Sequence, residues 1–185
     1  MSTKRGYFGV GVQGISKEGN AGNLLRTTHA FGGSFFFTIN PGLDVDGFRG
    51  SDTSGAFDHV PYYEFDSVSS LMLPGGCTLV GVELTDDSIE LPSFRHPTRA
   101  AYVLGPEMGS LSDDLVEKCA FVVKIPMKFC VNVGVAGAIV LYDRLISNNR
   151  FADRPVKMGG PDINALAPVP VHRKVPFTRR KVRES

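Results

Sequence analysis

A chain of 185 residues, 42% of them hydrophobic and with a mean hydropathy of −0.01, can bury one core of ordinary size, so one principal domain is expected. No apolar run approaches the roughly 20 residues of a membrane span, and the first residues, MSTKRGYFGV, lack a leader's apolar segment. Cys77, Cys119 and Cys130 are too few and too widely spaced for a zinc site or a disulfide scaffold, and His29, His59, His96 and His172 show no ligand spacing. A soluble, cytoplasmic protein without a metal is expected.

In chain order, YFGVGVQG (7–14) is rich in β-formers and glycine, LLRTTHAF (24–31) has helical spacing, and SFFFTI (34–39) suits a strand covered on both faces. Residues 41–60 hold so much Gly, Asp and Ser that a surface excursion is expected rather than a core element. A strand near PYYEF, a helix at DSVSSLML (66–73) and strands at CTLVGVEL (77–84) and AAYVLG (100–105) follow. SDDLVEKC predicts a short helix capped by Ser112, and AFVVKIPM a strand. The last element, 131–148, places Val133, Ala136, Ile139, Val140 and Leu145 on one stripe that packs on the sheet or on a second subunit. Alternation of this kind defines an α/β domain with a largely parallel sheet and helices on both faces, here over residues 1–150.

Formal net charge is +1, but residues 150–185 carry nine Lys/Arg against three Asp/Glu, net +6, leaving net −5 on residues 1–149. With its prolines and no periodicity, 151–185 reads as an extended or disordered arm suited to a polyanion. Its Arg173, Lys174, Arg179, Arg180 and Lys181, with Phe177 among them, are candidate RNA contacts of little sequence preference.

GVGVQG (9–14) fits the dinucleotide fingerprint G-x-G-x-x-G. That motif works only when its glycines form the turn after a strand, whereas Gly9 and Gly11 fall inside the first strand, so a nicotinamide cofactor is not expected. The strand-to-helix loop comes at 16–19. Asn20, Asn23 and Arg26 follow on the helix, and a helix N-terminus with an amide and a guanidinium suits a phosphate or ribose.

NAGNLLRTTHAFGG resembles the first motif of the SpoU-like RNA methyltransferases of the SPOUT superfamily, with Asn20 and Arg26 on that family's two polar positions. YVLGPEMGSLS resembles the second motif and VKIPMKFCVNVGVAGAIVLYDR the third; the three occur in order between about residues 7 and 145. In the third, only Lys128 and Phe129 separate Ile-Pro-Met from Cys130, fewer residues than the family has, and Cys130 stands in the family's serine position.

The resemblance implies a C-terminal deep trefoil knot, a homodimer that completes the active site, and S-adenosylmethionine bound by the loops carrying Glu83, Leu84, Leu104, Gly105, Ile125, Met127, Cys130 and Val131. It implies methyl transfer to a ribose 2′-hydroxyl of RNA, tRNA ahead of rRNA. Arg26, Asn20, Glu107 and Asn132 would be catalytic, with Arg26 also holding an RNA phosphate and Asn20 orienting Arg26 or the ribose. A guanidinium stays protonated in proteins, so stabilising charge on the reacting oxygen suits Arg26 better than a base's role. On local chemistry alone, Asn20 also fits an N-cap and Glu107 a turn-stabilising carboxylate. The alternative is a catalytically silent RNA-binding protein that keeps the SPOUT fold.

Overall fold

The computed structural model describes residues 6–149, 151, 154–156 and 158–160. The chain divides into two units, Met1–Arg150 and Phe151–Ser185, and the described residues of the second belong to no helix or strand.

Seven strands, β1 (Tyr7–Gln13), β2 (Phe35–Ile39), β3 (Tyr62–Phe65), β4 (Thr78–Val82), β5 (Ile89–Glu90), β6 (Arg99–Leu104) and β7 (Phe121–Lys124), form one sheet in the order β3-β2-β1-β6-β4-β7-β5. Every pair is parallel. Among the described residues the α-helices are α1 (Glu18–Ala30), α2 (Val45–Ser51), α3 (Asp113–Lys118) and α4 (Val133–Asn148). From β1 the chain first builds outward through β2 and β3, and later builds β6, β4 and β7 on the other side. The reversal lies between β1 and β6.

Side-chain alternation divides the core between two faces. Phe8, Val10, Val12, Phe36, Val80, Tyr102 and Leu104 point to one face, against Leu24 and Leu25 of α1, Phe48 of α2, and Val133, Val140 and Leu141 of α4. Phe35, Phe37, Ile39, Leu79, Ala101 and Val103 point to the other, against Leu111, Leu115 of α3 and Val68 and Leu71. The sheet is thus covered on both sides, as its continuous apolar strands require.

This alternation accounts for the glycines of GVGVQG. Gly9 and Gly11 lie in β1 opposite Phe35 and Phe37 of β2. The two phenyl rings, stacked at 6.0 Å between centroids, occupy the space where a Cβ on either glycine would stand. The motif is a packing device for large rings on the neighbouring strand.

Five expectations need correction. Residues 66–73 form a turn rather than a helix. Ser67 Oγ accepts from Ser70 N–H, and Ser70 Oγ donates to Ser67 C=O, offering the backbone a local alternative to helix. Lys118 Nζ donates to the carbonyls of Val68 and Leu71 at 2.8 and 3.3 Å, fixing the turn on α3. The excursion at 41–60 contains α2, whose Phe48 is fully buried among Phe36, Phe57 and Tyr62. Asp44 supplies its N-cap, accepting from Gly47 N–H at 2.7 Å.

α1 starts at Glu18, ahead of the expected position, so Asn20 lies within its first turn and is not its N-cap. Ser112 holds the N-cap position of α3 but makes no side-chain cap; its hydroxyl accepts from Gln13 Nε2 at 2.6 Å while its N–H donates to Gln13 Oε1 at 2.9 Å. That reciprocal pair ties the end of β1 to the loop after β6. On α4 the buried seam is Val133, Gly134, Gly137, Val140, Leu141 and Arg144, whereas Ala136, Ile139 and Leu145 are half-buried. Gly137 leaves room for Leu24, bringing α4 close against α1.

Candidate active site

Loops leaving the carboxyl ends of β4, β6 and β7 converge on the start of α1 and enclose a cleft of about 380 Å³. In an open parallel sheet this is where ligands bind, beside the reversal of strand order. The apolar lining comes from Val82, Leu104, Ile125, Met127, Val133 and Ala136, and the polar lining includes Asn20, Glu107 and Asn132. All eight residues expected at the cofactor line this one cleft.

Side-chain hydrogen bonds connect the three motifs. The Glu107 carboxylate accepts from the N–H groups of Ser16 and Lys17 at 3.2 and 3.1 Å, from the Ser16 hydroxyl at 3.3 Å, and from Asn20 Nδ2 at 3.1 Å. Asn20 Oδ1 accepts from Asn132 Nδ2 at 2.9 Å, and Asn132 Oδ1 accepts from Gly134 N–H at 2.9 Å as the N-cap of α4. Glu107 thus supplies a cap that α1 lacks locally, since Lys17 at its N-cap makes no side-chain bond. The positive end of α1 thus already faces a carboxylate of the protein, held by the two N–H groups that precede its first turn. Asn20 is bonded to Glu107 and Asn132, and no hydrogen bond joins it to Arg26 among the described residues.

Partial burial raises the Glu107 pKa, but the hydrogen bonds from Asn20 and from the Ser16 and Lys17 amides outweigh it, and the net shift is downward. The carboxylate is ionised at neutral pH and serves as a fixed acceptor rather than an acid. Glu83 plays a parallel part: its carboxylate accepts from Leu111 N–H at 2.8 Å and Leu84 N–H at 2.9 Å. Together with Leu111 N it crowds Gly105, where a Cβ would meet them at 3.4 and 3.3 Å. Loop packing is thus itself a reason for glycine at 105.

Arg26 lies elsewhere. Exposed on α1, it lines a shallower groove between α1 and α4 with Asn23, Phe31, Val135, Ile139 and Tyr142. Asn132 lines both the groove and the cleft. The sequence reading missed Lys17, Val82, Pro106, Gly109, Lys124, Val133 and Ala136 as lining residues. Each directly adjoins or lies close to a motif position, and only the path of the loops reveals them. Arg173, Lys174, Arg179, Arg180 and Lys181 lie outside the described residues.

A doubly covered parallel sheet with a bonded cleft at its strand ends defines a ligand-binding α/β domain. Residues 8–142 match the model of the SpoU rRNA Methylase family. The chain belongs to that family. It is 28% identical over 138 residues to mouse tRNA (guanosine(18)-2'-O)-methyltransferase TARBP1, a match that covers 70% of this chain and 9% of the mouse protein. The fold is similar to that of the SpoU methyltransferase AviRb from Streptomyces viridochromogenes, solved with AdoMet, with a TM-score of 0.67 at 22% identity over 75% of this chain and 59% of AviRb. The A. aeolicus TrmH/SpoU tRNA modifying enzyme gives a TM-score of 0.62 at 20% identity, covering 78% of this chain and 79% of that one. This chain thus spans under two thirds of the length of the mouse protein and of AviRb. No described helix is long and apolar enough to cross a membrane.

Proposed function

We propose that this chain is an S-adenosylmethionine-dependent methyltransferase acting on a ribose 2′-hydroxyl of RNA, tRNA ahead of rRNA. The observation that carries the reading is the bonded chain Glu107–Asn20–Asn132, which draws the three family motifs around one cleft. The donor set fits the cofactor: apolar side chains of Leu104, Ile125, Val133 and Ala136 suit an adenine, and the backbone of the lining loops 105–107 and 125–132 suits its polar edges. When bound, S-adenosylmethionine supplies a methyl group already activated as a sulfonium.

The protein's own task is then to position the hydroxyl and lower the cost of its proton loss. Glu107, Asn20 and Asn132 hold the loop geometry, with Asn132 facing both cleft and groove. Arg26, a permanent cation, binds an RNA phosphate and offsets charge developing on the 2′-oxygen. Because Arg26 lines the groove and not the cleft, one chain holds an incomplete site. A homodimer through the α1–α4 face, bringing one copy's Arg26 to the other's cleft, completes it. Exposed Val135 and Tyr142 on that face support this arrangement.

The trefoil knot belongs to the same proposal and rests on the family membership. So do the cytoplasmic location and the role of 151–185 as a basic, RNA-contacting arm. The experiment is transfer of labelled methyl from S-adenosylmethionine to bulk small RNA from cells lacking the protein, beside a thermal-shift assay with S-adenosylhomocysteine. Label in RNA together with stabilisation by the product is expected. Stabilisation without transfer would favour the silent RNA-binding alternative, and the absence of both effects would remove the assignment.

A further inference from the structure

Two loops of the cleft each carry a large apolar side chain that does not enter it. Phe129 lies between the lining residues Met127 and Cys130 and is 76% exposed; Met108, between Glu107 and Gly109, is 89% exposed. Single exposed apolar residues are common and need no explanation. Here, however, Phe129 lies in the continuous exposed run Lys128-Phe129-Cys130, on the loop that is shorter than the family pattern.

The electrostatics of the rim point the same way. The two cleft carboxylates, Glu83 and Glu107, are engaged by backbone N–H groups, and Lys124 Nζ donates to the carbonyls of Thr85 and Asp86. Among the described residues the only acid–base side-chain pair within salt-bridge distance is His96–Asp143, so Lys17 at the cleft and Lys128 beside Phe129, both exposed, have no acidic partner among those residues. An exposed aromatic ring flanked by lysine, at the mouth of a cleft, matches single-stranded nucleic acid: the ring stacks on a base and the ammonium follows the backbone.

Resting on the reading of the cleft as an RNA methyltransferase site, we propose that Phe129 is a positioning residue that stacks on a nucleobase of the RNA as its ribose enters the cleft. Because its ring does not line the cleft, it acts on RNA and leaves cofactor binding alone.

The chain contains no tryptophan, so Phe129→Trp places a single fluorophore at this position. In the full-length protein, bulk small RNA is expected to quench that emission, with methyl transfer preserved. Phe129→Ala and Phe129→Leu are expected to raise the KM for RNA by roughly 5- to 100-fold, the range of one lost base stack, with kcat little changed. Phe129→Tyr restores the KM. Stabilisation by S-adenosylhomocysteine is the same in all four variants and the parent.

An unchanged KM in Phe129→Ala, or tryptophan emission indifferent to RNA that is being methylated, would overturn the proposal while leaving the enzyme assignment intact. So would emission that shifts to the blue with protein concentration and ignores RNA, which would place a second copy of the chain over this ring. Failure of the parent protein to bind or methylate RNA would instead remove the underlying reading together with this one.

Discussion

Cys130 is exposed and lines the cleft, whereas the other two thiols are half-buried. Burial pushes the Cys119 thiol up to about 11 and raises that of Cys77 against the opposing pull of Arg144 and Arg99. Since the thiolate is the reactive form, a disulfide reagent at neutral pH should modify one cysteine more than about tenfold faster than the rest. S-adenosylhomocysteine should slow that phase, and Cys130→Ser should abolish it; a fast phase surviving in the variant would place the reactive thiol elsewhere. The sequence identified Cys130 through its place in the third motif, but not the partners of its neighbours. That Asn20 is bonded to Glu107 and Asn132, and not to Arg26, depends on where a loop some 87 residues away crosses the start of α1. No local spacing encodes that crossing.

The start of α4 joins structure and site in one residue. Asn132 caps the helix through its oxygen and bonds Asn20 through its nitrogen, so the two roles can be separated. Asn132→Ala should destabilise the fold by about 0.5–2 kcal/mol through loss of the cap. Asn132→Asp keeps a capping oxygen and removes the donor to Asn20; it should retain most of the denaturation midpoint yet lose methyl transfer. Equal losses of stability in the two variants would show that the bond to Asn20, and not the cap, carries the structural weight.

β1, β2, β6 and α4 were legible in the sequence because their apolar runs and helical spacing agree with the packing each element finds. The 66–73 turn was not, because serine hydroxyls bonding local backbone override apolar spacing that looks helical. α2 was hidden for the opposite reason: its polar composition masks the one residue, Phe48, that fastens it to the core. Gly9 and Gly11 read as a phosphate motif until Phe35 and Phe37 are seen beside them.

Across the whole sheet, the end opposite the cleft is tied by a buried polar chain. Arg144 of α4 donates to the carbonyls of Pro97 and Thr98 at 2.6 and 3.0 Å and to Tyr102 OH at 3.1 Å, with its guanidinium 4.7 Å above the centre of the Phe8 ring. Because Tyr102 OH accepts from Arg144, its proton is directed at His96 Nδ1, 2.6 Å away, which leaves Nε2–H to donate to Asp143 at 2.9 Å. This arrangement requires neutral His96. Burial lowers its pKa, Asp143 opposes that, Arg144 reinforces it, and the net shift is downward.

A depressed histidine pKa contributes stability that is complete above the unfolded value of about 6.5 and is lost as pH falls through the lower folded value. The melting temperature should therefore fall on acidification below about pH 6.5, more steeply in the parent protein than in His96→Gln. Parallel acid limbs in the two proteins would show that His96 titrates alike folded and unfolded.

A 2′-O-methyl group blocks attack of that oxygen on the adjacent phosphate, so RNA labelled by this protein can be hydrolysed with alkali and the products separated by size. Label is expected in an alkali-resistant dinucleotide, the signature of a methylated ribose. Label confined to mononucleotides would mean methylation of a base, and would contradict the role assigned to Arg26 and to the cleft it completes.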